Sequence, residues 1–182
     1  MKLKQNDWML NKTKTKINLT KNTVKKLLTT IVLFITAISF AQSPIIKQFR
    51  EVVKDAPNQF INFQKDLLSD NPEKHNKLYN STIDDTSISR NFITRTEGQN
   101  GVYIIRFDVA NLDGMMLKMF LLISEQYIKE LNEMEKSGAY TGRDYQENGE
   151  NITALKDLKG NVAVEYISSA TEHLVMVYGK SI

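Results

Sequence analysis

Residues 98–136, GQNGVYIIRFDVANLDGMMLKMFLLISEQYIKELNEMEK, run through a turn, a strand and a helix, and their reading decides the fold. Asn100-Gly101 tolerates the positive φ of a tight turn, so residues 98–101 predict a hairpin. After it, Tyr103, Ile105, Phe107 and Val109 alternate with Ile104, Arg106 and Asp108, the period of a strand with one core face and one wetter face. Asp113 stands where an N-cap is needed, because its carboxylate can accept from amides that a first helical turn leaves without partners. The helix is expected from Gly114 to Lys136, with Gly138 suited to its C-terminal cap. Its first half, residues 115–123, is apolar on nearly every side, and its second half narrows to Tyr127, Ile128, Leu131 and Met134. A helix apolar all round is expected to be buried by neighbours on both flanks.

Outward from this core the signals weaken. Upstream, Ile46, Phe49, Val52, Val53, Phe60, Phe63 and Leu67 recur at helical spacing, so residues 45–68 read as helix, kinked or restarted at Pro57. Ser69-Asp70-Asn71-Pro72 ends it with turn chemistry, and the polar residues 73–86 carry no clear pattern. Downstream, residues 139–150 read as a polar, glycine-punctuated loop. Three extended segments follow near residues 152–158, 162–167 and 174–178. No internal repeat is visible. The order αββαβββ predicts an α+β domain, an antiparallel sheet with helices packed on one face. Leu174 to Tyr178 is almost continuously apolar, which suits a central strand or a paired edge.

The N-terminal segment is of another kind. In KKLLTTIVLFITAISFAQ, residues 25–42, two lysines precede fourteen mostly apolar residues, and Ser39-Phe40-Ala41 puts small residues at −3 and −1. This resembles a bacterial secretory signal peptide, and it implies cleavage after Ala41 and an exported product, periplasmic or secreted. Fourteen residues interrupted by threonines fall short of the roughly twenty that span hydrocarbon, so no stable membrane span is expected after cleavage. The long basic region before Lys25 would leave with the leader, and Met9 is an alternative start within it.

Removing the leader changes what the charge means. The whole chain carries 24 basic and 21 acidic side chains, net +3. Residues 1–41 hold eight lysines against one acid, Asp7, so the remaining 141 residues carry 16 basic and 20 acidic groups, net −4. A mildly acidic domain is poorly suited to neutralising phosphates, which argues against nucleic acid as a partner. With no cysteine in the chain, the fold is not held by disulfides and thiol chemistry is excluded.

No catalytic, cofactor or metal motif emerges. His75 and His173 lie in no HxH or HExxH pattern, and a zinc site needs three or four converging ligands. Residues 144–150, DYQENGE, begin like a calcium loop but reach Leu155 where a bidentate acid is required. Residues 138–143, GAYTGR, lack the lysine and hydroxyl of a phosphate loop. Asp84-Asp85 is an adjacent pair whose carboxylates diverge on extended chain. No serine sits in a nucleophile elbow. Asn80-Ser81-Thr82 and Asn151-Ile152-Thr153 match the glycosylation sequon, a short pattern that arises readily by chance.

These absences leave a non-enzymatic binding protein with no cofactor as the expected function. Its partner would be a small apolar ligand or a protein of the cell envelope. For an apolar ligand, the place to look is between the helix bearing Met115, Met116 and Met119 and the strand face bearing Tyr103, Ile105 and Phe107, since methionine lines adaptable pockets. A hydrolase assembled from distant residues, with His75 or His173 as base, is the alternative. It would need a histidine that reaches both an acid and a serine or threonine. A structural subunit of the envelope is the third possibility, and it would expose an apolar patch on the sheet.

Overall fold

Residues 44–180 are described in the structure, a computed structural model; the expected leader and its cleavage point lie outside them. Helix α1, Pro44–Asp55, buries Ile46, Phe49 and Val52 along one stripe. It stops at Asp55, well short of the helix expected to residue 68. The reason is local. Asp55 turns its carboxylate back to accept from Asn58 Nδ2 at 2.9 Å and from Asn62 Nδ2 at 2.6 Å. Pro57 has no amide to continue the ladder and sits in a 3-10 turn, Ala56–Asn58. Gln59 and Phe60 then take left-handed φ values of 55° and 60°, which reverse the chain and drop Phe60 into the core.

Eight strands and one more helix follow: β1 Gln64–Asn71, β2 Asn76–Ser81, β3 Arg90–Thr96, β4 Val102–Asp108, α2 Gly114–Lys136, β5 Tyr140–Glu147, β6 Glu150–Asp157, β7 Val162–Ser168 and β8 Glu172–Tyr178. They make one antiparallel sheet in the order β1-β2-β3-β4-β8-β7-β6-β5. The domain is therefore α+β and mostly sheet, with the order αββββαββββ in place of the expected αββαβββ. The three extra strands are β1, β2 and β5, and β1 and β5 are the sheet's edges. β5 occupies the stretch expected to be a loop. It pairs with β6 without a break from Tyr140↔Asp157 to Glu147↔Glu150. Asn148 and Gly149, both at positive φ (51° and 83°), make the two-residue turn between them. The partial calcium loop is thus a strand and a hairpin turn, and Asp144 accepts a hydrogen bond from Thr153 Oγ1 at 2.8 Å.

The same topology reveals a repeat that the residues conceal. Among the described residues, each half is a helix followed by a four-stranded meander, and the halves join where their last strands, β4 and β8, pair. Helices of 12 and 23 residues remove any fixed period.

From residue 98 to 138 the elements form where expected, although the positive φ of the β3–β4 turn falls at Gly98 (73°) and not at Asn100-Gly101. Asp113 Oδ1 accepts from Met115 N at 3.1 Å and Met116 N at 2.9 Å, capping α2, and Gly138 ends it at φ 77°. Tyr103, Ile105 and Phe107 face the core with Val175, Val177, Val164 and Tyr166. Phe107 packs against Phe120 and Tyr127 of α2 at ring distances of 5.5 and 6.1 Å. Tyr127 in turn meets Phe49 of α1 edge-on at 5.3 Å. Arg50 of α1 grips Glu130 of α2 through two hydrogen bonds of 2.6 Å. One expectation fails here: the apolar first half of α2 is not buried on both flanks. Met115 is 75% exposed and Leu122 61%.

Candidate functional site

Strand alternation divides the sheet into two faces. The core face carries Tyr103, Ile105 and Phe107; the second face carries their alternates. Register aligns these in rows. Asn80, Phe92, Ile104, Met176 and Glu165 are successive cross-strand partners from β2 to β7. The adjacent row runs Arg90, Arg106, Leu174, Ile167, Ile152 and Tyr145 from β3 to β5. Phe92, Ile104, Leu174, Met176 and Ile167 are all part-exposed and stand outside the core cluster. The centre of the second face is therefore apolar and open to solvent.

Two polar groupings flank it. At the β3–β4 corner, Arg90 and Arg106 lie directly opposite each other, an arrangement that repels unless charge is supplied from elsewhere. Arg106 ion-pairs with Glu172. Exposed Arg90 has no side-chain partner among the described residues. Both arginines line a groove of about 370 Å³ with Thr86, Ser87, Asp108 and Asn111. Asp108 accepts from Asn111 Nδ2 at 3.1 Å. On the other flank, the Tyr178 hydroxyl donates to Glu165 Oε2 at 2.5 Å and the Tyr145 hydroxyl to Oε1 at 3.2 Å. Loss of water around the Tyr178 phenol, reinforced by the Glu165 carboxylate, pushes its pKa above the usual tyrosine value. The Arg143 guanidinium stacks over the Tyr145 ring at 5.5 Å.

The residues expected to hold a ligand are not gathered into one site. Tyr103, Ile105 and Phe107 are buried, and the Tyr103 hydroxyl is hydrogen-bonded to Ser81 Oγ at 2.7 Å. Burial pushes that phenol up to about 12. The space between Ile105, Phe107, Ile123 and Tyr127 is a cavity of about 30 Å³, room for a water or two. Met116 packs against the core and lines the arginine groove. Met115 and Met119 are exposed on α2, at 75% and 48%. The second face was legible only as the wetter side of one strand, because its rows depend on register between strands far apart in sequence.

Neither histidine reaches both an acid and a serine or threonine hydroxyl among the described residues. His75 Nδ1 lies 3.2 Å from Glu97, both exposed. His173 Nδ1 is 2.8 Å from the Tyr166 hydroxyl, which is 2.5 Å from Ser124 Oγ. Burial holds the His173 pKa below its usual value, although a hydrogen bond with the Ser169 backbone pulls the other way. Among the described residues, no group of three acids or histidines converges to hold a metal ion. No helix among them is long and apolar enough to cross a membrane, a statement that does not extend to β-barrels. The chain matches no known family model, no curated protein and no solved structure.

Proposed function

We propose that the protein is an exported, non-enzymatic binding module that engages another polypeptide through the second face of its sheet. In this reading both helices lie on the Tyr103–Phe107 side and leave the opposite side for the partner. The observation that carries it is the part-exposed row Phe92–Ile104–Met176, flanked by Arg90, which has no counter-charge among the described residues, and by the tyrosine–Arg143 cluster. Protein interfaces concentrate aromatic residues, methionine and arginine around an apolar centre, with a polar rim. The partner's chemistry follows from the surface: an apolar patch to cover Ile104 and Met176, and a carboxylate for Arg90. The cavity of about 30 Å³ between α2 and the Tyr103–Phe107 face is too small to hold a drug-sized apolar ligand there.

The test is a photo-crosslinking residue at Ile104, or at exposed Leu158 as control, in protein expressed from the full gene. The expected result is one discrete crosslinked polypeptide from position 104, suppressed by Arg90→Glu, on a product whose mass corresponds to residues 42–182. An intact leader overturns export. A small-molecule adduct, with no polypeptide captured at position 104, overturns the docking face.

A further inference from the structure

The outward side of α2 is an apolar surface that the fold leaves unused. Phe120, Tyr127 and Leu131 bury one side of the helix, with Met116, Ile123 and Met134 packed beside them. A surface helix normally keeps its other side polar. Here Leu121 is 56% exposed and Leu122 61%, with Leu117 and Met115 exposed on either flank. At about 100° per residue, Lys118, Leu121, Leu122 and Glu125 share one arc opposite the buried stripe. Neither Lys118 nor Glu125 has a side-chain partner among the described residues.

The order of these four residues is self-complementary. Lys118 lies three positions before Leu121, and Glu125 three positions after Leu122. A two-fold axis perpendicular to the helix, passing its outer side level with the gap between the leucines, lays a second copy antiparallel. Leu121 and Leu122 then meet the same two leucines of that copy, and each Lys118 meets the other's Glu125. In such an interface every contact occurs twice, so the apolar centre and both ion pairs are satisfied by one sequence. We propose that the chain forms a homodimer in which α2 packs antiparallel on α2 of a second copy. A like-handed pairing fails on charge, because a parallel arrangement in register sets Lys118 against Lys118 and Glu125 against Glu125.

Sedimentation equilibrium on protein expressed from the full gene tests this, with thermal melting to verify that each variant is folded. The expected result is a concentration-dependent dimer. Lys118→Glu and Glu125→Lys should each weaken it about tenfold, since symmetry turns one substitution into two like-charge contacts. The double variant Lys118→Glu with Glu125→Lys should restore the wild-type constant, a rescue that a folding defect cannot produce. Leu121→Lys should give a folded monomer that melts cooperatively and whose midpoint no longer depends on concentration. A wild-type monomer at every concentration, or a dimer indifferent to all of these changes, overturns the proposal.

Discussion

Arg50 and Glu130 meet in a bidentate pair whose carboxylate side chain is only 9% exposed, while the guanidinium is 40% exposed. The carboxylate holds the Arg50 guanidinium above its usual pKa, mainly through the hydrogen bonds. Removing the arginine strands a nearly buried charge, so Arg50→Ala should cost about 2 kcal/mol, less than for a fully buried pair because water reaches one partner. Arg50→Lys should recover only part, since an ammonium cannot reproduce the planar fork. Urea unfolding reads both; an unchanged midpoint in Arg50→Ala would refute the role. Residue-scale steric limits are sharper still at Gly179. A Cβ there would run into the Gln59 side-chain oxygen, which already accepts from Gly101 N at 2.7 Å, while Gln59 Nε2 donates to Lys180 O at 2.6 Å. Gly179→Ala should therefore lower stability by about 1–3 kcal/mol, seen as a fall in the melting midpoint. Nothing in the residue string announces either contact, because both join positions about 80 or more apart in sequence.

Among the elements, those that carry their own boundary chemistry are the legible ones. α2 begins at Asp113 and ends before Gly138 as its capping residues dictate. Asp113→Ala frees two amides of the first turn and should cost about 1 kcal/mol, whereas Asp113→Asn or Asp113→Ser should cost far less; denaturant titration separates the three. An equal loss in all three variants would point to lost packing instead of a lost cap. β4 and β8 are legible for a different reason. β8 is almost continuously apolar from Leu174 to Tyr178, and β4 alternates buried Tyr103, Ile105 and Phe107 with the wetter Ile104, Arg106 and Asp108, so both central strands carry a readable pattern. β1 and β5 fail to announce themselves because an edge strand borrows its hydrogen bonds from a neighbour and exposes most of its side chains. In β1 all but Gln64 are exposed, Leu67 and Leu68 included. No alternation survives there to be read.

Across the whole molecule, buried phenols set a pH limit. Tyr103, Tyr127, Tyr166 and Tyr178 all have pKa values raised above 10.0, in each case mainly through burial. The folded protein thus keeps protons that the unfolded chain gives up near pH 10. Stability is fully present below that pH and is lost as pH rises through the raised values. For Tyr103, held at about 12, the loss amounts to about 3 kcal/mol between pH 10 and 12. Unfolding free energy measured from pH 8 to 11.5 should fall above pH 10, less steeply in Tyr103→Phe. A flat profile would contradict it. His173, held below its usual value, works in the opposite sense: its contribution is intact above about pH 6.5 and declines as the solution is acidified.

What the sequence by itself determined is local: the turn at residues 98–101, the alternation of β4, the caps and extent of α2, and three C-terminal strands. Each depends on interactions spanning a few residues, and a periodic pattern records them. Tertiary structure alone decided that the edges of the sheet are strands and that two helix-plus-meander halves meet at β4 and β8. It also decided the candidate surfaces. Phe92, Ile104 and Met176 become neighbours only through register, across 84 positions of chain. The apolar side of α2 becomes an exposed surface only because the fold has one core and the helix can turn one side toward it. Burial and cross-strand adjacency are properties of the packed chain, and no window of residues contains them.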